Sequence, residues 1–423
     1  MDPALAFNPV RSLLSPFFTF RTIAWTFFLF LLHGVSGQTF RVSNPTGLSR
    51  KAGEVLISRE SLRNMMELPA NEVPVLYAND KVIPSQTDDI TGDGQWDELA
   101  FQLDVERNSS VQVKVKWVPA AKAPAFIPGA RCLLGVKNPG ETQFQPVEIE
   151  MIPEDWHAGK NSERYLGEGP VWESEKIAFR HFFDERNFTS PLVKKAEGFL
   201  TDSLNLCRKE YHFIEALLPD SGLGAGGFAV SGSGKWNLPS KAGSLQFRLL
   251  ANGPVRAVFD LLYEDWPLED NLLNVRRRVS IWAGNSSYKT ALSISGFSGE
   301  METAIGMSVP AETGRVQELP AGGNFSAFFR RNVLAKEKEH TLSLGMLLPT
   351  SEKSMISVSG SENTDLPAGT CFRKYRLKSG QQVEFLVFAA GEKKDDLPGN
   401  SPEFRNLMQY ELDCLLNPLT ISR

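Results

Sequence analysis

Short runs of alternating apolar and polar residues, separated by turn residues, recur along almost the whole chain after residue 38. This period of two places successive side chains on opposite faces of a β-strand. Helix patterns occur at only two places, residues 61–67, where Ser58 or Ser61 could cap the helix, and residues 402–416, where apolar side chains form one stripe. So many strands and so few helices predict two large, packed antiparallel sheets.

Composition is that of an ordinary globular protein, with 423 residues, 42% hydrophobic and 22% charged, and a formal net charge of −5. No internal repeat, low-complexity tract or linker interrupts the strand pattern, so we expect residues 38–423 to form a single domain. A pI of about 5.7 argues against nucleic acid as a partner, because phosphate binding requires a dominant basic patch.

The first 37 residues have the features of a secretory signal peptide. Arg11 and Arg21 precede the apolar run 23–32, and small residues at 35–37 suit a cleavage site before Gln38. The apolar run is shorter than the roughly 20 residues that span a bilayer, which disfavours the alternative of a membrane anchor. We therefore expect export to the periplasm or the medium, with no membrane association after cleavage.

Cysteines are few and widely spaced, with no pair separated by two residues, so a zinc site built from them is improbable. One or two disulfides and buried free thiols both remain open. The four cysteines are Cys132, Cys207, Cys371 and Cys414.

The loop 88–99 is acidic and has glycines at its bends. Asp89, Asp93 and Asp97 are candidate ligands for a structural calcium ion, because hard cations prefer clustered oxygen ligands on a tightly turned loop. The spacing does not match an EF-hand, and a hairpin turn stabilised by aspartate side chains is the alternative. Otherwise we expect no cofactor.

The stretch 167–187 contains more side chains suited to catalysis or ligand binding than any other part of the sequence. A strand through it would place one set on one side, namely Trp172, Lys176, Arg180 and Asp184. The other side would carry Glu173, Ile177, Phe179, His181 and Phe183. An aromatic platform beside two cations suits an anionic sugar, because the ring stacks on C–H faces and the cations hold a carboxylate or sulfate. A half-buried strand with solvated charges is the alternative.

Proton-transfer groups and cations are also close together at Tyr211 and His212, which follow Arg208. A neutral imidazole can accept a proton near neutral pH. Elimination from a uronic acid needs a base, a cation that neutralises the carboxylate and an acid for the leaving oxygen. Tyr211 and His212 suit proton transfer, and Arg180 and Arg208 suit neutralisation, while His181 is a further candidate.

Other chemistries find less support in the sequence. No G-x-S-x-G or H-E-x-x-H motif occurs, which disfavours esterases and metalloproteases. Glycoside hydrolysis stays open, because Glu173, Glu175 and Asp184 could be suitably arranged in space. The glycine-rich run 222–230 lacks the following helix of a nucleotide loop, so we expect it to mark close backbone approach in a β-structure.

Several sequence blocks together resemble a secreted bacterial family, known as a domain of unknown function from polysaccharide-utilisation gene clusters and similar to the ulvan oligosaccharide dehydratases. The blocks are residues 84–89, 92–94, 97–99 and 169–175, then Arg180, Asp184, Arg186-Asn187, Tyr211-His212 and the glycine-rich run. The chain departs from the family pattern at residues 213–218, where a Trp-Gly pair is expected.

The resemblance implies a lyase-type dehydratase that removes water from the non-reducing-end uronic acid of an ulvan-type oligosaccharide and leaves a 4,5-unsaturated sugar. On this interpretation His212, Tyr211, Arg180 and His181 are catalytic candidates, and the substrate is contacted by Trp172, Glu173, Lys176, Asp184 and Arg208. A non-catalytic carbohydrate-binding protein, with Trp172, Trp236 and Trp266 lining a groove, and a glycoside hydrolase are the alternatives. The expected fold is all-β, a large antiparallel β-sandwich of the galactose-mutarotase-like supersandwich type with a few short helices.

Overall fold

Strands dominate the computed structural model, and the described part of the chain contains only two α-helices, α1 (Arg59–Met65) and α2 (Glu403–Leu416). The residues it describes are 38–152, 163–194, 198–202, 213–215, 217, 222–308, 315–319, 322, 324–331, 340–350, 356–359, 365–393 and 403–423. They belong to one unit that runs from Gln38 to Arg423. The predicted all-β class is confirmed.

The strands have the following bounds in chain order. They are β1 (Gln38–Asn44), β2 (Arg50–Ser58), β3 (Glu72–Ala78), β4 (Lys81–Ile83), β5 (Ser85–Asp88), β6 (Glu98–Val105), β7 (Ser109–Pro119), β8 (Ala130–Leu133), β9 (Gly135–Val136), β10 (Gln145–Pro146), β11 (Ile149–Ile152), β12 (Val171–Ser174), β13 (Ala178–His181), β14 (Thr189–Lys194), β15 (Phe213–Glu215), β16 (Ala225–Gly232), β17 (Lys235–Asn237), β18 (Ser244–Asn252), β19 (Arg256–Leu268), β20 (Asn271–Trp282), β21 (Ser287–Ser295), β22 (Glu300–Ser308), β23 (Gln317–Leu319), β24 (Phe325–Arg330), β25 (His340–Pro349), β26 (Ser357–Val358), β27 (Thr370–Lys378), β28 (Gln382–Lys393) and β29 (Thr420–Ser422).

The largest sheet has nine antiparallel strands in the order β11-β18-β19-β20-β21-β28-β25-β24-β23. Two five-stranded sheets, β15-β14-β13-β12-β8 and β17-β16-β22-β27-β26, share one hydrophobic core with it. Phe259 of the large sheet, Trp172 of the first smaller sheet and Phe228 of the second all lie in this core. The arrangement is the predicted large antiparallel β-sandwich.

At β28 the nine-stranded sheet is apolar on both faces. Phe385 and Val387 of β28 lie in the sandwich core, whereas Leu386 and Phe388 lie in a separate core with α2 on the other face. This alternation follows the two-residue period of a strand. The apolar stripe predicted near the C-terminus is the buried side of α2: Phe404, Met408 and Leu412.

The N-terminal strands form a smaller sandwich of their own. The sheets β29-β1-β7-β3-β4 and β2-β6-β5 enclose a second hydrophobic core, which α1 joins through Leu62. The Ser58 hydroxyl caps α1 by accepting a hydrogen bond from the Ser61 amide at 3.1 Å. The last strand, β29, pairs with the first, with Arg41 opposite Ser422.

Residues of the blocks 84–89 and 97–99 attach this small sandwich to the nine-stranded sheet. Gln86 Oε1 accepts hydrogen bonds from the backbone amides of Val255 at 2.9 Å and Arg256 at 3.0 Å. The buried guanidinium of Arg256 forms ion pairs with Asp88 at 2.6 Å and with Glu98 at 2.5 Å. These block residues therefore have structural partners, which accounts for the residue types found there.

Two further expectations concern glycines and cysteines. The glycine-rich run leads into β16, where a Cβ on Gly226 would lie 2.4 Å from Val387 Cγ2, so the predicted close backbone approach is confirmed.

Cys132, Cys371 and Cys414 are free thiols, and Cys207 lies outside the described residues. Among the described helices, neither is long and apolar enough to cross a membrane.

Candidate functional site

The stretch 167–187 folds as a β-hairpin rather than as one continuous strand. β12 and β13 pair antiparallel with Trp172 opposite Phe179, and the Ser174 amide donates to the Ile177 carbonyl at 3.0 Å to close the turn. Because the chain reverses there, the alternation of faces is reset. Both predicted groupings are therefore wrong: Trp172 and Arg180 lie on opposite faces of the hairpin, and so do Glu173 and Phe179.

Trp172 is a core residue. Its side chain has no exposed surface, stacks on Phe179 with ring centroids 5.8 Å apart and meets the edge of Tyr288 at 5.3 Å. Neither face of the indole can contact a sugar in this arrangement, so the predicted stacking platform is wrong. Trp266 is also buried and Trp236 packs on Phe372, so these tryptophans do not line a shared open groove.

Glu173 is buried and fully engaged. Its carboxylate forms an ion pair with Lys194 Nζ at 2.6 Å and accepts the backbone amides of Leu200 and Thr201, each at 2.8 Å. Such bonds offset the cost of burying a charge. The predicted substrate contact is wrong for Glu173, which instead fixes the segment 198–202 against the hairpin.

Lys176 lies in the turn of the hairpin, and Asp184 lies beyond the end of β13. Lys176 is exposed at the tip, where its charge acts on Glu411 of α2. Both Asp184 carboxylate oxygens accept from Arg186 Nε at 2.7 Å, and Arg186 also pairs with Glu168 at 2.8 Å. Asp184 is therefore occupied by an internal ion pair rather than presented to a ligand.

Arg180 and His181 are neighbours in β13 and so point to opposite faces of the sheet. Arg180 donates to the Gly167 carbonyl at 3.2 Å and lies over the Phe182 ring at 4.3 Å, with Arg186 over the same ring at 4.2 Å. His181 points towards the nine-stranded sheet. This agrees with the sequence analysis, which placed Arg180 and His181 on opposite sides of a strand.

His181 belongs to a buried polar group that we call the His181 cluster: His181, Asn187, Thr189, Tyr263 and Arg277. Imidazole Nε2 lies 3.1 Å from Asn187 Oδ1, and Nδ1 lies 3.0 Å from Thr189 Oγ1. Tyr263 donates its hydroxyl to Asn187 Oδ1 at 2.6 Å and lies 3.3 Å from Nε2. Since Asn187 Oδ1 only accepts, Nε2 carries the hydrogen and Nδ1 accepts from Thr189.

Arg277 of β20 brings a guanidinium to the cluster, with 2% of its surface exposed. It donates to Thr189 Oγ1 at 3.3 Å, to the Tyr288 hydroxyl at 3.3 Å and to the Gly226 carbonyl at 3.4 Å, while Nε has no partner. Within the described ranges, no carboxylate forms an ion pair with it. A buried cation without a counter-ion is costly, and this is the strongest indication of an anionic ligand in this part of the fold.

The surroundings fix the protonation states of the cluster. Burial, together with the positive charge of Arg277, lowers the pKa of His181 well below its ordinary value, although the Asn187 hydrogen bond acts in the opposite direction. Burial raises the pKa of Tyr263, and it raises the pKa of Tyr288 to about 12. At neutral pH the cluster therefore holds a neutral imidazole, the protonated phenol of Tyr263 and the Arg277 guanidinium, and the protonated phenol of Tyr288 lies beside it.

Sequence analysis missed Tyr263, Arg277, Asn187 and Thr189 as functional candidates. For Arg277 a sequence signal exists. It lies two residues from both Val275 and Val279, and residues two apart in a strand share a face, so Arg277 must share the buried face of the two valines. Tyr211, His212 and Arg208 lie outside the described residues, so their roles stay predictions.

The acidic loop between β5 and β6 uses its carboxylates internally. Asp89 accepts the amides of Gly92 at 2.6 Å, Gly94 at 2.7 Å and Asp93 at 3.2 Å. Asp97 Oδ2 accepts those of Ile90 and Thr91, each at 2.8 Å. Desolvation opposes the shift, but these amides lower the pKa of Asp89.

Asp93 likewise accepts the Gln95 amide at 2.8 Å. In the described part of the chain, no group of three or more acidic, histidine or cysteine side chains is arranged to hold a metal. The arrangement matches the alternative of a turn stabilised by aspartates, and the calcium ion stays a prediction without a ligand set.

Comparisons with solved structures give weak likenesses. An α-mannosidase from Enterococcus faecalis V583 matches with a TM-score of 0.43 and 10% identity, over 91% of this chain and 45% of the mannosidase. A glycosyl hydrolase family 38 protein from Enterococcus faecalis gives 0.42 and 10%, over 91% and 47%. A kojibiose phosphorylase described as putative, from the human microbiome, gives 0.35 and 8%, over 56% and 32%.

The chain thus spans about half the length of the two Enterococcus proteins, and TM-scores below 0.5 support no transfer of activity. No curated protein matches the sequence. One family model covers residues 42–421, nearly the whole of the described unit. The chain therefore belongs to the family described as a domain of unknown function (DUF4861).

Proposed function

We propose that this protein is a carbohydrate-active dehydratase that removes water from the non-reducing-end uronic acid of ulvan-type oligosaccharides and leaves a 4,5-unsaturated uronic acid. The observation that carries the proposal is the buried Arg277 guanidinium, without a carboxylate partner in the described residues, beside the neutral imidazole of His181. The sequence resemblance to ulvan oligosaccharide dehydratases supports the choice of reaction.

The chemistry requires three groups, and the His181 cluster contains each type. Arg277 would neutralise the uronate carboxylate, which lowers the barrier to forming the enolate-like intermediate when the C5 proton leaves. His181 Nδ1, the ring nitrogen without a hydrogen, would accept the C5 proton after the Thr189 hydroxyl turns away from it, and the Tyr263 phenol, kept protonated by burial, would protonate the departing C4 hydroxyl. The C5–H and C4–O bonds break, the C4–C5 double bond forms and water leaves.

All three side chains are buried, so the sugar acid has to enter the space between the sheets to reach them. A purely structural polar network is the competing explanation of the same contacts. The two explanations make different predictions. Substitutions in a purely structural network would change stability only, whereas substitutions in a catalytic cluster would also abolish the reaction. Export by the signal peptide, to the periplasm or the medium, fits a substrate from an external polysaccharide and belongs to the same proposal.

The glycoside hydrolase alternative finds no paired carboxylates at the predicted places. Glu173 is held by Lys194, and Asp184 by Arg186. Glu175 Oε2 accepts the Gly284 amide at 2.6 Å. Each of these carboxylates therefore has a separate structural partner, and a hydrolytic pair would have to be formed elsewhere in the chain.

The experiment is incubation of the purified protein with saturated oligouronides from ulvan, alginate and pectin, followed by mass spectrometry and ultraviolet absorbance. We expect loss of one water mass and growth of conjugated-enoate absorbance with at least one substrate. New reducing ends without unsaturation would indicate a hydrolase instead. The dehydratase proposal fails if none of the substrates changes.

A further inference from the structure

The outer face of one sheet of the small sandwich carries positive charge only. In the sheet β29-β1-β7-β3-β4, Phe40 and Val115 point into the core of that sandwich, so their neighbours in sequence point away from it. Arg41, Lys114 and Lys116 are such neighbours, and all three are exposed. None of the outward positions in these strands is Asp or Glu. We call Arg41, Lys114 and Lys116 the cationic stripe.

Strand register places the three cations next to one another. Lys114 and Lys116 are two residues apart in β7, which separates their backbone positions by roughly 7 Å. Lys114 lies opposite Thr39, and Arg41 follows two residues further along β1, so Arg41 and Lys114 are diagonal neighbours at roughly 7–8 Å. On the other side of β7, Lys114 lies opposite Tyr77 of β3, which is half-buried. The stripe is therefore continuous and is bordered by a hydroxyl group and an aromatic ring.

Acids compensate cations on other sheet faces of this protein but not on this one. Arg278 pairs with Asp260 across β20 and β19 at 2.8 Å, and Lys289 pairs with Glu384 across β21 and β28 at 2.6 Å. No residue of the cationic stripe forms an ion pair or a side-chain hydrogen bond with a described residue. Neighbouring like charges repel one another, and a bound anion would remove that repulsion. The stripe is therefore complementary to a ligand with several negative charges.

An acidic polysaccharide fits this face better than duplex DNA or a membrane does. Duplex DNA carries one charge per about 1.7 Å, and a protein of net charge −5 repels so dense a polyanion. Anionic membranes are recognised by clusters of about 4–8 Lys or Arg, more than the stripe contains. A sugar chain carries its sulfates or carboxylates further apart than the phosphates of DNA, and the C–H face of a sugar can pack on the ring of Tyr77.

We propose that the cationic stripe is a docking face for a polysaccharide chain that bears sulfate or carboxylate groups. The three cations would hold the acidic groups, and Tyr77 would contact a sugar between them. The stripe lies on the small sandwich, whereas the His181 cluster lies in the core of the large one, so the stripe would hold the protein on a polymer. The choice of a polysaccharide rests on the proposed function, but binding needs no reaction, so either proposal can fail alone.

The test is isothermal titration calorimetry of the purified protein with dextran sulfate and polygalacturonate, and with neutral dextran, duplex DNA and phosphatidylserine vesicles. We expect at least one acidic polysaccharide to bind with a Kd of about 100 μM or tighter at about 10 mM salt, and neutral dextran not to bind. The affinity should fall at about 100 mM salt, because the screening length decreases from about 30 Å to about 10 Å. The proposal is overturned if neither acidic polysaccharide binds, or if DNA or vesicles bind more tightly than both.

A triple variant locates the binding. Replacement of all three stripe cations, Arg41→Gln, Lys114→Gln and Lys116→Gln, should weaken binding of the acidic polysaccharide at least about tenfold. The side chains are exposed and make no ion pair with described residues, so the variant should remain folded, which an unfolding curve measures. An unchanged Kd in the folded triple variant overturns the proposal.

A second triple variant controls for net charge. It removes the same three positive charges from exposed strand positions on other sheets, through Arg276→Gln, Arg376→Gln and Lys378→Gln. A specific docking face predicts less than about a twofold change in Kd for this control. Equal losses in the two triple variants would show that only the total charge of the protein matters, and would overturn the proposal.

Discussion

Arg277 and His181 hydrogen-bond to the same hydroxyl group, that of Thr189, at 3.3 Å and 3.0 Å. The hydroxyl oxygen accepts from the guanidinium while its hydrogen points to imidazole Nδ1. The cation is thereby placed one group away from the imidazole and opposes its protonation. A single threonine at the start of β14 thus links the candidate anion-binding group to the candidate base.

Replacement of Arg277 by methionine should abolish dehydration but should not destabilise the fold. Arg277 has no carboxylate partner among the described residues, so its replacement removes the cost of burying a charge, and we expect the free energy of unfolding to be unchanged or raised by about 1–3 kcal/mol. Urea denaturation and the mass assay measure the two effects. Arg277→Lys keeps the charge as a control, and a loss of more than about 3 kcal/mol in the methionine variant would indicate a structural role instead.

The pKa of His181 predicts a dependence of stability on pH. Because the pKa is lowered in the folded state, the unfolded chain takes up the proton first as the pH falls below about 6.5. Stability contributed by the neutral imidazole is therefore present above this pH and is lost below it, by up to about 1.4 kcal/mol per pH unit. Denaturation curves between about pH 5 and 7.5 should show a smaller loss for His181→Gln than for the unmodified chain; equal slopes would contradict the assignment.

The Glu173–Lys194 pair should behave as a buried ion pair whose halves cannot be removed separately. We expect Glu173→Leu or Lys194→Met alone to cost about 3–5 kcal/mol, because each leaves one buried charge uncompensated. The double variant should recover much of that loss, and a double-mutant cycle by chemical denaturation measures the coupling. Additive losses would show that the two charges act independently.

Gln86 should contribute to stability without contributing to activity. Gln86→Ala removes the acceptor for the backbone amides of Val255 and Arg256, where β19 begins, and leaves them buried, at a cost of about 1–3 kcal/mol. The Tm should fall while turnover at a temperature well below the Tm stays unchanged. Gln112→Ala, at an exposed hydrogen bond on β7, serves as the control and should have a small effect. Loss of turnover in the folded Gln86 variant would point to a role beyond attachment of the small sandwich.

Cleavage of the signal peptide should leave Gln38 as the first residue of the exported protein. The strand β1 begins at that residue, with Gln38 opposite Val115, so a cut there leaves the sheet complete. Intact-mass measurement of protein recovered from the periplasm or medium tests this. A mass that retains residues 1–37 would contradict cleavage, and absence from both compartments would contradict export.

The fold class follows from the sequence because strand periodicity is a local property. Val383 to Phe388 alternates between two cores, and the helix at the C-terminus presents one apolar stripe, as expected from spacing alone. The hairpin at Glu175-Lys176 was missed because no glycine, proline or asparagine marks its turn. One unmarked reversal is enough to move Trp172 from a proposed binding face into the core.

The candidate site depends on non-local pairing and was predicted only in part. His181 was identified from its chemistry, but its partners Tyr263 and Arg277 come from β19 and β20 of another sheet. Nothing in the local sequence indicates which strands will face each other across a sandwich. Arg180 was favoured as the cation together with Tyr211 and His212, which lie outside the described residues, so that grouping stays a prediction.

The pairing of β29 with β1 affects how the chain can acquire its structure. A polypeptide that emerges with its N-terminus first, from a ribosome or through a translocation channel, has its first strand available from the beginning. The neighbour that pairs with Arg41 to Ser43 arrives only with residues 420–422. This edge therefore stays open during synthesis and transport until residues 420–422 have emerged.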